Sequence, residues 1–589
     1  MDRGCIQSIS LTSVGSCSQV GGGPTALVTA LVLAQHGTPV RVIEKELGLQ
    51  AGERGPGIQP RSLELLQFAG ILDDYLKIAR PVPQVRIFKD GVPEPVIASL
   101  SQEMDPTPAR PFTEMRMLGQ SRFVALLADI LKTYGVYIET GTALRSFEQD
   151  EAGVTVHILK HGDDGEQVQD TFRVGWIVGA DGAKGATRKL LNLSFKGEDL
   201  HGRWLVCDVE LEKPWTEADA YFSSWSDSNG VMWMIRPTAY DTPRLGQLLV
   251  AGEQVNAEHL TTHPEDIVKG VNDVIPLPSV KVSKVLWVSA QYRPSSRMVE
   301  KFSEGRVFVA GDAAHIHPPS GGQGLNSGLQ DAVNIGWKLA LVSGGHASPS
   351  LLSSYDDERH PVIRTMLQLT GGLYKTTREE KDAKKGFNRS TNFYMLDINY
   401  RWSGIVMDDR VDPNSPEKKD TSRAYTGNED GVHAGERAPE APELEVIRAS
   451  AAASLEGQGP TSIFKLFKLT KHTALIFVKQ NADSSIIAAF LQALASFPPG
   501  TVQTAVVISP SVTDEQKATF ATLTEGADVV LLDKAGHAFR EYGVGDDSSQ
   551  ALVLVRPDGY VGAYVYGTEG LKTYTEALFG GAPVVAKSS

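Results

Sequence analysis

Three separated glycine-bearing loops hold the residues whose types and spacing could bind and use a nucleotide. The first, Val20-Gly21-Gly22-Gly23-Pro24-Thr25-Ala26, fits G-x-G-x-x-G/A at the entry to an apolar helix, and Glu44 ends the strand that follows. Gly21 would permit a tight turn, and Gly23 would let backbone amides approach a pyrophosphate at the positive end of the helix. Glu44 would accept from a ribose hydroxyl. The second loop is Gly179-Ala180-Asp181-Gly182, after the strand-like Trp176 to Val178 and ahead of Arg188. The third is Gly311-Asp312-Ala313-Ala314-His315, followed by Pro318, Pro319 and the run Ser320-Gly-Gly-Gln-Gly-Leu-Asn326.

Around these loops the periodicity predicts helices at 24–36, 62–68, 121–132 and 325–342, and strands at 38–43, 154–159, 231–235, 248–250 and 306–310. Helix and strand at 24–43 form half of a βαβ unit. Its feeding strand is weak on paper, because Ser13 to Gln19 are mostly small and polar where β-branched residues are usual. Residues 80–115 and 195–290 mix β-like runs with Pro and Trp and read as a sheet over the nucleotide domain. The segment 410–440, rich in Pro, Gly and acids, reads as a linker. Strands at 473–478, 503–508, 528–532 and 551–555 with a helix at 486–494 then predict a small α/β domain.

The 589 residues are too many for one ordinary core, and 41% hydrophobic with 22% charged residues fits a soluble globular protein. A net charge of -14 argues against nucleic acid or anionic membrane as the main partner. Cys5, Cys17 and Cys207 have neither metal-ligand nor C-x-x-C spacing, which supports no zinc site and no disulfide framework. No run suits a signal peptide or a membrane span, so the expected compartment is the cytoplasm.

In order and separation, the G-x-G-x-x-A loop, the Asp181-Gly182 motif and the Gly311-Asp312 motif with H-x-x-P-P-x-x-G-Q-G-x-N resemble the single-component FAD-dependent aromatic-ring monooxygenases, over about residues 20–345. The resemblance implies an α/β fold: a Rossmann-type FAD-binding domain in three parts (1–80, 116–195, 291–410) and an inserted β-sheet substrate domain (81–115, 196–290). A linker (411–439) and a thioredoxin-like domain (440–589) of the phenol hydroxylase branch follow, the last carrying Val555 to Gly562. No cysteine follows Cys207, so a dithiol role there is excluded. The implied function uses NADPH or NADH and oxygen to hydroxylate a phenolic or polyketide-like small molecule, as in secondary metabolism, through a flavin hydroperoxide, in a homodimer.

By the same resemblance Asp312 accepts from the ribityl chain, while amides near Gly321, Gly322, Gly324, Leu325 and Asn326 face the flavin pyrimidine and stabilise the reduced anion. Pro318 lies at the flavin's front face with its carbonyl near the reacting site, as the catalytic position. Gly311, Asp181 and Gly182 contact FAD, the last two also the nicotinamide nucleotide. Gln120 and Arg122 open a helix that touches FAD, and Arg54, Gly57 and Gln59 lie along it, with Arg61 either a contact or a helix-cap charge. His315 reads as a structural neighbour of the flavin loop rather than a base. Where phenol hydroxylases of this group keep an acid, this chain has Pro56. Tyr221, Trp225, Trp233 and Tyr292 are aromatic pocket candidates that are more often core. Two rivals stand beside the main reading. Val231 to Pro237 lacks the halogenase pattern W-x-W-x-I-P, whereas epoxidation, dearomatisation and ring expansion stay open. A flavin-free scaffold is the non-enzymatic alternative.

Overall fold

The computed structural model describes residues 15–379 and 390–580 except 90–93, 101, 163–165, 201–202, 240, 290–293, 319, 428–430, 451–459, 514, 517–519, 521–523 and 546–549. Cys5, Tyr292 and Pro319 lie outside the described residues.

The chain opens with strand β1 (Cys17–Val20), helix α1 (Pro24–Gln35) and strand β2 (Val40–Ile43). Pro24 sits in the first turn of α1, where its missing N–H costs nothing. Helices α2 (Pro60–Phe68) and α3 (Gln120–Thr133) follow, then strand β3 (Trp176–Gly179). The feeding strand that looked weak is a full central strand: Cys17 stands opposite both Val40 and Trp176, in parallel with β2 and β3. Parallel ladders on both edges hold it, so apolar side chains are not what makes it a strand. Ser18 and Gln19 are wholly buried, and neither Gln19 amide atom has a side-chain hydrogen-bond partner.

Next comes a seven-stranded sheet that includes β4 (Arg203–Leu211), β5 (Met232–Pro237) and β6 (Leu245–Gly252), with Val85–Ile87 and Val96–Ala98 closing one edge. Side chains alternate across β4. Leu205, Cys207, Val209 and Leu211 join a core with Trp225, Trp233, Ile267 and Val271 on the outer face. Asp208, between them in sequence, is turned the other way, toward the loop at 51–57. The chain then returns to the first sheet as β7 (Val307–Val309), whose order is Ser303–Glu304, β7, β3, β1, β2, Ile138–Glu139. Helix α4 (Gly324–Ser343) packs along α1, and helix α5 (Ser353–Glu379) follows.

The last part is a second seven-stranded sheet. Its centre is β8 (His472–Val478) and β9 (Val502–Ile508), parallel to each other and to β10 (Val529–Asp533). The hairpin β11 (Leu552–Val555) and β12 (Val561–Val565) adds on the other side of β8. This part has no core of its own. One continuous apolar cluster runs from Leu27, Leu63 and Phe68 into Phe464, Ile476 and Leu554. Phe68 on α2 meets the rings of Phe464 and Phe467 at 5.1 and 5.3 Å between centroids. The stretch read as a linker is packed as well: Arg437 Nη1 donates to Glu64 of α2 at 3.0 Å, and Tyr425 and Ala438 are buried. Acids and prolines there suggested exposure, and Asp412 is exposed, but Glu436 pairs with Arg401 and is buried. Among the described residues no helix is long and apolar enough to cross a membrane.

Phe464→Ala should therefore cost about 3–5 kcal/mol, and calorimetry should show one transition in which both halves of the chain lose stability together. A separate, unshifted transition for residues before 440 would contradict the shared core.

Candidate functional site

The turn after β1 is built by close backbone approach. Gly21 has φ +117°, and a Cβ there would lie 2.5 Å from the Ala180 carbonyl oxygen, so the first and second glycine loops meet at that point. Gly23 precedes α1 with extended backbone, Ala26 is fully buried against the sheet, and Glu44 Oε2 accepts from Gly22 N at 2.5 Å. In the second loop Asp181 Oδ2 accepts from Thr187 N and Oγ1 at 2.9 and 3.0 Å, while its other oxygen, Oδ1, is buried without a partner. Gly182 has open space beside it. Arg188 turns away, its guanidinium on the carbonyls of Ala313 and Ala183 and over the Phe195 ring.

Asn326, wholly buried in the first turn of α4, shapes the third loop. Its Oδ1 accepts from Gln59 N at 2.8 Å, and its Nδ2 donates to the carbonyls of Gly57 and Gly322 at 2.9 and 2.8 Å. Gln59 returns a bond from Nε2 to the Gly321 carbonyl at 3.2 Å. The helix start at Gly324 and Leu325 is thus tied to the loop that enters α2. The Pro318 carbonyl, expected to face a reacting site, lies 2.5 Å from His317 Nδ1. Burial pushes the His317 pKa down to about 4, with His315 adding to the effect, so that ring is neutral near pH 7.

Asp331, one face of α4 further on, was missed in the sequence. Its Oδ2 accepts from Gly311 N at 3.0 Å and bonds His315 Nε2 at 2.7 Å, and its Oδ1 accepts from Arg359 Nε at 2.7 Å. Burial alone would raise this carboxyl; Arg359 and His315 outweigh it and hold the pKa at about 2. His315 is consequently locked in the fold. The one readable signal for Asp331 was a charge inside a helix otherwise rich in Leu, Ala and Ile. Asp312, next to Gly311, is solvent-exposed, yet enough protein surrounds its carboxyl that desolvation raises its pKa, against His315 and Arg54. An accessible carboxyl so enclosed lies in a cleft.

Arg54 crosses toward that cleft. Its φ of +44° is unusual for a residue with a Cβ and costs on the order of 1–3 kcal/mol. Three contacts with the seven-stranded sheet hold it: Gln247 Nε2 donates to its carbonyl at 2.6 Å, Asp208 Oδ2 accepts from Glu53 N at 2.9 Å, and its guanidinium lies 5.6 Å from the Trp287 ring centre. Burial lowers the Arg54 pKa, opposed by Asp312 and Asp208. Burial also lifts the Asp208 carboxyl to about 7, helped by Glu53 and opposed by the Glu53 amide and Arg54. Glu53 meets the start of α3, its backbone carbonyl accepting from Gln120 N at 3.1 Å and its Oε1 from Ser121 Oγ at 2.5 Å. Gln120 bridges Gln50 and the Gly55 carbonyl, and Arg122 pairs with Asp241 instead of the cleft. Arg61 is wholly buried behind the site, on Glu64 and the Asp558 carbonyl. Trp225 and Trp233 belong to the outer core, and Tyr221 lies under Arg86.

The three loops therefore converge on one cleft, with an open glycine cradle at Gly182, an unpartnered Asp181 oxygen, an enclosed accessible Asp312 carboxyl and a helix start at Gly324. This donor and acceptor set fits an FAD: amides for phosphates, a carboxylate for ribityl hydroxyls, a helix N-terminus for an electron-rich ring edge. A separate cavity of about 680 Å³, lined by Lys196, Glu198, Met298, His360 and Arg364 among others, contains none of the expected site residues.

Residues 18–370 match the family described as the FAD binding domain. A flavin-dependent monooxygenase of Mycobacteroides abscessus is 31% identical over 437 residues, covering 72% of this chain and 82% of that one. Pentachlorophenol 4-monooxygenase of Sphingobium chlorophenolicum is 26% identical over 92% of each chain. The crystal structure of aklavinone-11 hydroxylase with FAD and aklavinone superposes with a TM-score of 0.72 at 23% identity, covering 96% of this chain and 98% of that one. The chain belongs to the FAD binding domain family and is an FAD-dependent monooxygenase.

Asn326→Ala should strip three buried backbone groups of their partners, at about 1–3 kcal/mol each, and the purified variant should lose most of its bound flavin absorbance; retention of full absorbance would contradict the clamp. Asp208→Asn tests the raised carboxyl. Because its folded pKa exceeds the unfolded value near 3.9, the acid stabilises the fold fully below about pH 4 and loses that contribution as pH rises through about 7. The variant should thus be more stable than the parent by roughly 1–3 kcal/mol at pH 8 and equal to it near pH 4 in urea unfolding.

Proposed function

We propose that this FAD-dependent monooxygenase hydroxylates a phenolic or polyketide-like aromatic molecule held between the flavin and the inner face of the seven-stranded sheet, with NADPH or NADH as reductant. The single observation that carries this reading is the loop at 51–57. The sheet's Asp208, Gln247 and Trp287 grip it, and its Arg54 interacts with Asp312 in the flavin cleft. A molecule lying on that sheet face is thereby brought to the flavin edge. The two relatives with aromatic compounds in their names support the substrate class.

When bound, FAD supplies the oxygen-activating redox chemistry. The chain's own part is positional and electrostatic. Amides from Gly322 to Leu325 at the start of α4 would favour negative charge on a ring held there. Asp312 would hold the ribityl hydroxyls, the Gly21 to Gly23 turn the pyrophosphate, and Glu44, which accepts from Gly22 N, a ribose hydroxyl. Gly57, Gln59 and Gln120 line the same groove. Asp181 and Gly182 lie where a nicotinamide nucleotide docks, since the chain has no second glycine fingerprint for it. Pro318 closes the front of the ring. No acid stands at Pro56, whose carbonyl is spent on Leu118 N at 2.9 Å, so the substrate's phenolic proton leaves by another route. The C-terminal sheet is read as a thioredoxin-like domain without redox cysteines, and the protein as a cytoplasmic homodimer.

Purified holoenzyme supplied with NADPH or NADH, ¹⁸O₂ and a panel of mono- and polycyclic phenols and cyclic ketones decides the matter. The expected result is substrate-stimulated nicotinamide oxidation and a phenol carrying one ¹⁸O. Ring-expanded ketones with every phenol untouched would overturn the aromatic reading.

A further inference from the structure

The turn joining β11 to β12, Arg556-Pro557-Asp558-Gly559, reaches out of the C-terminal sheet into the core behind the flavin cleft. Gly559 has φ +72°, and a Cβ there would lie 2.5 Å from the Phe68 ring of α2, so the turn is pressed directly on that helix. Asp558 is almost fully buried and spends its backbone carbonyl and its side-chain carboxylate on different helices. Its backbone carbonyl accepts from Arg61 Nη2 of α2 at 2.6 Å. Its carboxylate Oδ2 accepts from Trp337 Nε1 at 3.2 Å and Asn334 Nδ2 at 3.4 Å, both on α4. Arg556 neutralises it, with Nε 3.0 Å from Oδ1 and Nη2 2.5 Å from Oδ2, and also forks onto Glu358 of α5 at 2.6 and 2.9 Å. Lys338, Asn334 and Ser403 also donate to Glu358, at 2.8, 2.7 and 2.7 Å.

Helices α2 and α4 are therefore cross-tied twice. At the cleft, Asn326 joins α4 to the entry of α2 through Gly57 and Gln59; at the back, Asp558 joins the same two helices through Arg61 and Trp337. The two ties stand eleven residues apart on α4, about 16 Å at helical rise. Two ties at that separation fix both the rotation of α4 about its axis and its tilt against α2.

We propose that Asp558 is a positioning residue for the flavin site: through Trp337, Asn334 and Arg61 it sets the angle at which the amides at the start of α4 face the ring. The C-terminal part thus serves the cofactor from behind, without touching it. This inference rests on the chain's being an FAD protein and is independent of which substrate is oxidised.

The test uses the full chain. Asp558→Asn keeps the volume and removes the charge, Trp337→Phe keeps an aromatic ring but removes the N–H that reaches Asp558 together with part of the indole's volume, and Phe497→Ala removes a ring that packs on Phe579 in the shared apolar cluster. FAD affinity is measured by flavin fluorescence in the reconstituted apoprotein, with the visible spectrum of the bound flavin and the melting temperature alongside. The expected outcome is FAD binding weakened about tenfold or more, with a shifted flavin spectrum, in Asp558→Asn and, to a smaller degree, in Trp337→Phe. Phe497→Ala should lose melting temperature with FAD affinity and spectrum unchanged. If Asp558→Asn does not fold, Trp337→Phe carries the test. Wild-type affinity and spectrum in the folded position-558 or position-337 variant, or an equal loss of affinity in Phe497→Ala, would overturn the proposal.

Discussion

A helix buried on nearly every side gains from a partner for each polar group it carries, and α4 carries many, of which Ser327 Oγ and Gln330 Oε1 have none. Asn326, Asp331, Asn334 and Lys338 are all shielded from water along its length. An unpaired polar group at such a site costs about 1–3 kcal/mol, and an unpaired charge more. The surrounding chain supplies the partners: Gly57 and Gln59 for Asn326, Gly311, His315 and Arg359 for Asp331, Asp558 and Glu358 for Asn334, and Glu358 for Lys338. The partners of Asn326 and the Gly311 and His315 partners of Asp331 belong to the cleft loops, while Asp558 and Glu358 stand behind them. Satisfying α4 and building the flavin site are therefore one task.

The loop holding Arg54 shows how the two large sheets are made to cooperate. Its backbone strain persists because Gln247 and Asp208 fix the atoms on either side of it. Asp208 is a poor anion in that setting, its carboxyl lifted by burial. The positive charge of Arg54 is left to answer Asp312 across the cleft. A nucleotide domain and a substrate sheet that merely abutted would have no such connection.

The three glycine loops were legible in the sequence because their function is a backbone shape, and a backbone shape restricts residue type locally. Gly21 is the clear case, since the Ala180 carbonyl leaves no room for a Cβ. The strand feeding it misled for the opposite reason: side-chain pattern suggested weakness, whereas the ladders from β2 and β3 come from residues 40–43 and 176–179. Asp331, Asp208 and Asp558 were illegible because each acquires its role from partners far away in sequence. Arg61 meets Asp558 across 497 residues, a distance no periodicity spans. The packing of 411–439 was hidden likewise, its charges reading as solvent-facing until Glu64 appeared opposite Arg437.

The account turns on where the electron-rich edge of the flavin lies relative to α4. A crystal structure of the protein crystallised with FAD would locate it directly. The pyrimidine edge should lie within hydrogen-bonding distance of backbone amides between Gly322 and Leu325, with Asp312 on the ribityl chain and Asn326 still bonded to Gly57 and Gln59. A flavin bound with its ring away from that helix start, or an α4 whose Asn326 had released the α2 loop to admit it, would contradict the account.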